Sequence, residues 1–238
     1  FEVHGPAAFA AIDTTAVDGS DTVALRLASM SNALTIDTGA GSDDIVLGSG
    51  GSVVDSGNGN DAITVGAAND GVHDDHITSG DGNDLVMVLD AQLSSHLQID
   101  AGNGVDALVL ESDATVVDAD FTLLTNLEQV VFDVDALDNA QSITVAALAA
   151  AAGVDRIDAH FAGGDDVISI DASGFVNALT IVTNDAADVI VLGSGGSVVD
   201  AKQGDNDITL GAANDGVHND SITTGNGADV FHVSDAQL

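Results

Sequence analysis

The residues of this chain best suited to chemistry are aspartates set behind paired glycines. Four turns read Gly39-Ala-Gly41-Ser-Asp43, Gly57-Asn-Gly59-Asn-Asp61, Gly80-Asp-Gly82-Asn-Asp84 and Gly102-Asn-Gly104-Val-Asp106. Two residues past each aspartate stands an apolar residue, Ile45, Ile63, Val86 or Leu108. A short carboxylate on a tight loop is a ligand for a hard cation. Glycines reach positive φ, which lets backbone carbonyls turn toward the same ion. Weaker turns add Asp21, Gly164, Asp166 and Asp188, and the sequence Gly225-Asn-Gly227-Ala-Asp229 repeats the full pattern late in the chain.

The four strong turns begin 18, 23 and 22 residues apart. On parallel strands about 4.8 Å apart, Asp43, Asp61, Asp84 and Asp106 would form a ladder of like charges. At an effective dielectric near 20, two unit charges about 5 Å apart repel by roughly 3 kcal/mol. Several such pairs rival the whole stability of a domain, about 5–15 kcal/mol. A cation must offset them. Calcium accepts six to eight oxygens in flexible geometry, whereas magnesium demands a stricter octahedron and keeps its waters. Several calcium ions are therefore expected.

The elements that hold these turns are short and periodic. Between turns lie runs of three to five β-prone residues, including DIVL, SVVD, AITV, HIT, LVMV and ALVL. They are too short for amphipathic helices and have turn residues on both sides. Turn starts at Gly39, Gly48, Gly57 and Gly66 are nine residues apart, and a five-residue insertion precedes Gly80. Two nine-residue halves make one coil of turn, strand, turn, strand. The fold expected is all-β: a right-handed parallel β-solenoid, or β-roll, with the strong turns along one edge. A short helix near 145–152 is expected to end at Gly153.

A longer repeat overlies this one. Residues 35–93 align without gaps to 180–238, with 37 identities in 59 positions. LGSGGSVVD recurs at 47–55 and 192–200, and GAANDGVH at 66–73 and 211–218. The expected organisation is one continuous solenoid over 1–238, with tandem units at 9–153 and 154–238, the second incomplete. The chain reads as a piece of a longer array.

Composition limits the function. The 238 residues carry a net charge of −36 and only three cationic side chains, Arg26, Arg156 and Lys202. Of the 39 acidic residues 36 are Asp, an excess that points to turns rather than to a solvated acidic surface. No basic footprint exists for nucleic acid, and no apolar run is long enough for a transmembrane helix. Cysteine is absent, so a thiolate site and a disulfide framework are excluded. No H-E-x-x-H, G-x-S-x-G or cysteine nucleophile marks an enzyme. His73, Asp74, Asp75 and His76 offer a transition-metal alternative, but the second histidine is Ser221 in the repeat. A loop insertion is the plainer reading.

The strong turns and Gly225–Asp229 resemble the RTX family of secreted calcium-binding proteins. That resemblance implies ions bound between consecutive turns by aspartate carboxylates and glycine-loop carbonyls, and type I secretion followed by folding outside the cell. Asn126–Phe132 and the stretch 142–159 are similar to units between such blocks in large bacterial surface proteins. There are departures. Asn184-Asp-Ala-Ala-Asp188 lacks both motif glycines, and Lys202-Gln-Gly-Asp-Asn206 lacks the first glycine and the aspartate. Full calcium sites are expected in the first copy and fewer in the second, with Lys202 partly replacing an ion. The expected function is a calcium-binding structural repeat of a secreted or cell-surface protein of adhesin, S-layer or matrix type. The alternative is a calcium-dependent secretion module attached to an enzyme or toxin. Self-association into a filament or lattice is a third reading.

Overall fold

The computed structural model describes residues 10–15, 21–66, 73–94, 96–133, 140–163, 166–211 and 219–233. Among these residues it is mostly β, with 22 strands of two to four residues and one α-helix. The strands pair in parallel, in three sheets. The helices among the described residues include none long and apolar enough to cross a membrane. The chain divides into two compact units, Phe1–Val109 with Leu123–Leu127, and Leu110–Thr122 with Glu128–Leu238.

In the first unit consecutive strands alternate between two parallel runs. One run contains Ala11–Asp13, Thr35–Asp37, Val53–Asp55, His76–Thr78, Gln98–Asp100 and Leu124–Thr125, neighbours in that order. The other contains Ala24–Arg26, Asp44–Val46, Ala62–Thr64 and Leu85–Val88. In three-residue strands the pleat turns only the central residue inward. Leu25, Ile45, Ile63 and Val86 therefore stand in register, each at most 1% exposed. Ile36, Val54, Ile77 and Ile99 stand in register in the other run, each at most 3% exposed. Burying each such side chain contributes about 1.5–3 kcal/mol.

The second unit repeats this plan. Gln129–Phe132, Arg156–Asp158, Thr180–Val182, Val198–Asp200 and Ser221–Thr223 form one run. Thr115–Val116, Gln141–Thr144, Ile168–Asp171, Val189–Val191, Asp207–Thr209 and Val230–His232 form the other. The Ile143, Ile170, Ile190 and Ile208 ladder is buried throughout. The helix, Ala147–Ala152, ends at Gly153 with φ +112°. Its start is held from a distance. The Asp118 carboxylate accepts the N–H groups of Ala146, Leu148 and Ala149 at 2.8, 3.2 and 3.0 Å.

Candidate metal centre

The four strong turns stack directly. Parallel bridges join Ala40 to Asn58, Asn58 to Asp81, and Asp81 to Asn103. Gly41, Gly59 and Gly82 donate N–H groups to the carbonyls of Asn58, Asp81 and Asn103 at 2.8, 2.7 and 2.8 Å. In return Asn58, Asp81 and Asn103 donate to Gly39, Gly57 and Gly80 at 2.8, 3.0 and 2.8 Å. This packing requires glycine. A Cβ on Gly57 or Gly59 would lie 1.7 or 1.8 Å from the carbonyl oxygen one turn back, and φ is +90° and +139°. Each bonded carbonyl keeps a second lone pair, which is what a cation would use.

Behind the glycines runs the column of carboxylates. Asp43, Asp61, Asp84 and Asp106 are each 2% exposed or less. Each Oδ1 accepts one backbone N–H at 2.8 Å: Val23 to Asp43, Asp43 to Asp61, Asp61 to Asp84, and Asp84 to Asp106. The other oxygen is different. Oδ2 of Asp43, Asp61 and Asp84 is buried and accepts no hydrogen bond. Asp188 in the second unit is the same: its Oδ1 takes the Ile168 N–H at 2.9 Å, and its Oδ2 is buried without a hydrogen-bond partner. A buried anionic oxygen left in this state costs more than a hydrogen bond returns.

The electrostatics agree. Burial pushes the Asp61 carboxyl up to about 6, against the Asp43 N–H and the nearby Ser56 hydroxyl, and the Asp84 and Asp43 charges add to the rise. Burial also raises Asp84, opposed by the Asp61 N–H and Ser79. Asp188 is pushed up to about 6 by burial, opposed by Thr183 and the Ile168 N–H. The hydroxyl hydrogens belong to another ladder. Thr38, Ser56 and Ser79 donate to the carbonyls of Ser56, Ser79 and Ala101 at 3.1, 3.0 and 2.9 Å. The Ser56 and Ser79 hydroxyls thus have carbonyl acceptors of their own as well as lying near the column, and the Oδ2 atoms of Asp61 and Asp84 accept no hydrogen bond.

The weaker candidates stand elsewhere. Asp21 is exposed, and the column place before Asp43 belongs to Val23. Asp166 is buried, but the corresponding place before Asp188 belongs to Ile168. Gly164 lies outside the described residues. Asp229 accepts the Asn206 N–H at 3.1 Å, which lowers its pKa against the effect of burial, with the Thr224 and Asn206 side chains helping. Gly225 and Gly227 are not among the positive-φ glycines, unlike Gly39, Gly41, Gly57, Gly59, Gly80, Gly82, Gly102 and Gly104. Lys202 has φ +51°, and its ammonium bonds Asp200 at 2.5 Å, not a column carboxylate.

Several participants lack a motif signature. Asn60 and Asn83 accept the N–H groups of Asn83 and Val105 through Oδ1 at 2.9 and 3.0 Å. Asp75 is fully buried and accepts the Ser52 N–H at 2.7 Å, and Asp220 serves Ser197 in the same way at 2.8 Å. With Asp75 turned inward and His76 outward, the two do not converge. Most of the repeated loop at 66–73 and 211–218 lies outside the described residues. A signal for the hydroxyl ladder is in the sequence: Thr38, Ser56 and Ser79 each directly precede a motif glycine.

Among the described residues no three His, Asp or Glu side chains converge on one point. The column presents its carboxylates in series, so backbone carbonyls would have to complete the shell of a hard ion. The bare buried Oδ2 atoms are hard anionic oxygens, the donor type that a calcium ion accepts. Comparison of the chain with family models, curated proteins and solved structures gives no match.

Proposed function

We propose that this chain is a calcium-stabilised structural repeat segment of a secreted or cell-surface protein, wound as a right-handed β-solenoid of the RTX type. The observation that carries the reading is the buried column in which Asp43, Asp61 and Asp84 each keep one carboxylate oxygen without a hydrogen-bond partner. Bound calcium supplies the positive charge that this column lacks. The chain supplies the rest. Oδ1 of each aspartate is fixed by a backbone N–H, which leaves Oδ2 as the atom that would hold a cation, and carbonyls of the close-stacked glycine turns would complete its shell. Metal binding and folding are then one equilibrium. An adhesin, surface-layer or matrix role suits a repeat segment whose folding depends on extracellular calcium, and self-association is a further reading for such repeats.

The test is calcium titration by calorimetry together with circular dichroism in calcium and in EDTA. Calcium uptake with a chelator-sensitive β signal supports the reading. An unchanged β signal and unchanged melting in EDTA, with no calcium uptake, would overturn it.

A further inference from the structure

The column of the second unit contains its own comparison. At an offset of 145 residues, Asp43, Asp61 and Asp84 correspond to Asp188, Asn206 and Asp229. Asn206 is fully buried. Its Oδ1 accepts the Asp188 N–H at 3.0 Å, as Oδ1 of Asp61 accepts the Asp43 N–H at 2.8 Å. The two side chains therefore sit in the same register and differ at the second terminal atom.

At Asp61 that atom is the bare Oδ2. At Asn206 it is Nδ2, which donates toward the carbonyls of Ala201, Gln203 and Gly204 at 3.2, 3.3 and 3.3 Å and to Oδ1 of Asp229 at 3.1 Å. The offset maps these acceptors onto the carbonyls of Ser56, Asn58 and Gly59 and the carboxylate of Asp84. An amide offers hydrogens to such a ring of oxygens, whereas a carboxylate oxygen only adds another negative end. A second asparagine works alike. Asn184, where the first copy has Gly39, donates to the carbonyls of Gly163 and Asp166 at 2.7 and 2.8 Å. Its Oδ1 takes the Ala186 N–H at 3.0 Å.

We infer that Asn206 replaces the cation at its step, so that this part of the second unit assembles without metal while the Asp61 step requires it. The inference rests on the calcium reading above. The two copies then differ in calcium dependence: the Asn206 step persists when calcium is scarce, and the Asp61 step does not.

Hydrogen exchange on the whole chain, in calcium and in EDTA, tests it. Chelation is expected to raise exchange in residues 56–65 by about tenfold or more, and in 201–210 by less than about threefold. Asn206→Asp should make 201–210 respond to EDTA and raise calcium uptake. Asp61→Asn should make 56–65 insensitive and lower uptake. Equal loss of protection in both segments, in a wild-type protein that binds calcium, would refute the role of Asn206 and leave the calcium reading standing. No calcium uptake and no response in either segment would overturn both. The wild-type comparison needs no variant, so a misfolded mutant does not obscure the outcome.

Discussion

Without metal the protein should become less stable as pH rises from acid to neutral, the reverse of ordinary acid denaturation. Asp61 and Asp188 have folded-state pKa values of about 6, against 3.8 for a free aspartate. A raised value means that the folded state binds the proton more tightly than the unfolded state. The stability is therefore full below 3.8 and lost as pH climbs through 6. Each group contributes about 3 kcal/mol by this linkage, and the two together about 6 kcal/mol. Both side chains are at most 1% exposed, so solvent screening removes little of this. The two groups lie in different units, so each unit loses about 3 kcal/mol, a sizeable part of a domain's stability of about 5–15 kcal/mol. The assay is urea unfolding followed by circular dichroism at about pH 4.5 and about pH 7.5, each in EDTA and in calcium. The chelated protein should lose several kcal/mol between the two pH values, and calcium should restore it at neutral pH. Asp61→Asn should recover about 3 kcal/mol of the chelated loss, since its amide cannot ionise. Asp81→Asn is the control: it removes the same charge from an exposed turn position and should recover little. Equal or greater chelated stability at the higher pH, or equal recovery by both variants, would refute the reasoning.

Three further outcomes are expected. Gly59→Ala places a Cβ 1.8 Å from the Gly41 carbonyl oxygen at φ +139°. The backbone strain alone costs on the order of 1–3 kcal/mol, and urea midpoints should show at least that loss. Asp118→Ala removes the acceptor of three N–H groups at the helix start. It should cost about 1–2 kcal/mol, with faster hydrogen exchange confined at first to 146–152. Ile63→Ala opens a cavity at a fully buried position of the inward ladder and should cost about 2–5 kcal/mol in equilibrium unfolding.

Much of the strand pattern is legible because each turn meets the turn one period away. Asp44–Val46, Val53–Asp55 and Ala62–Thr64 fall on the β-prone runs, each with its central apolar residue buried. The end of the helix is legible in Gly153, a local signal. Its beginning is not, because the cap is Asp118, 28 residues before Ala146. Among the site residues, Asp43, Asp61, Asp84 and Asp106 are marked by their glycines. Asp75 is unmarked, since its acceptor role follows from the register that sets Ser52 beside it.

The sequence by itself determined the period, the inward apolar positions and the stacking of the glycine-aspartate turns. Those depend on spacing along a chain whose neighbours recur at a fixed offset. Only the tertiary structure decided which carboxylate oxygen is satisfied and which is bare, that Lys202 turns to Asp200, and that Asn206 donates where Asp61 cannot. These outcomes depend on the direction of individual N–H and C=O groups and on the depth of burial. Residue type and spacing do not encode them until the strands are in register.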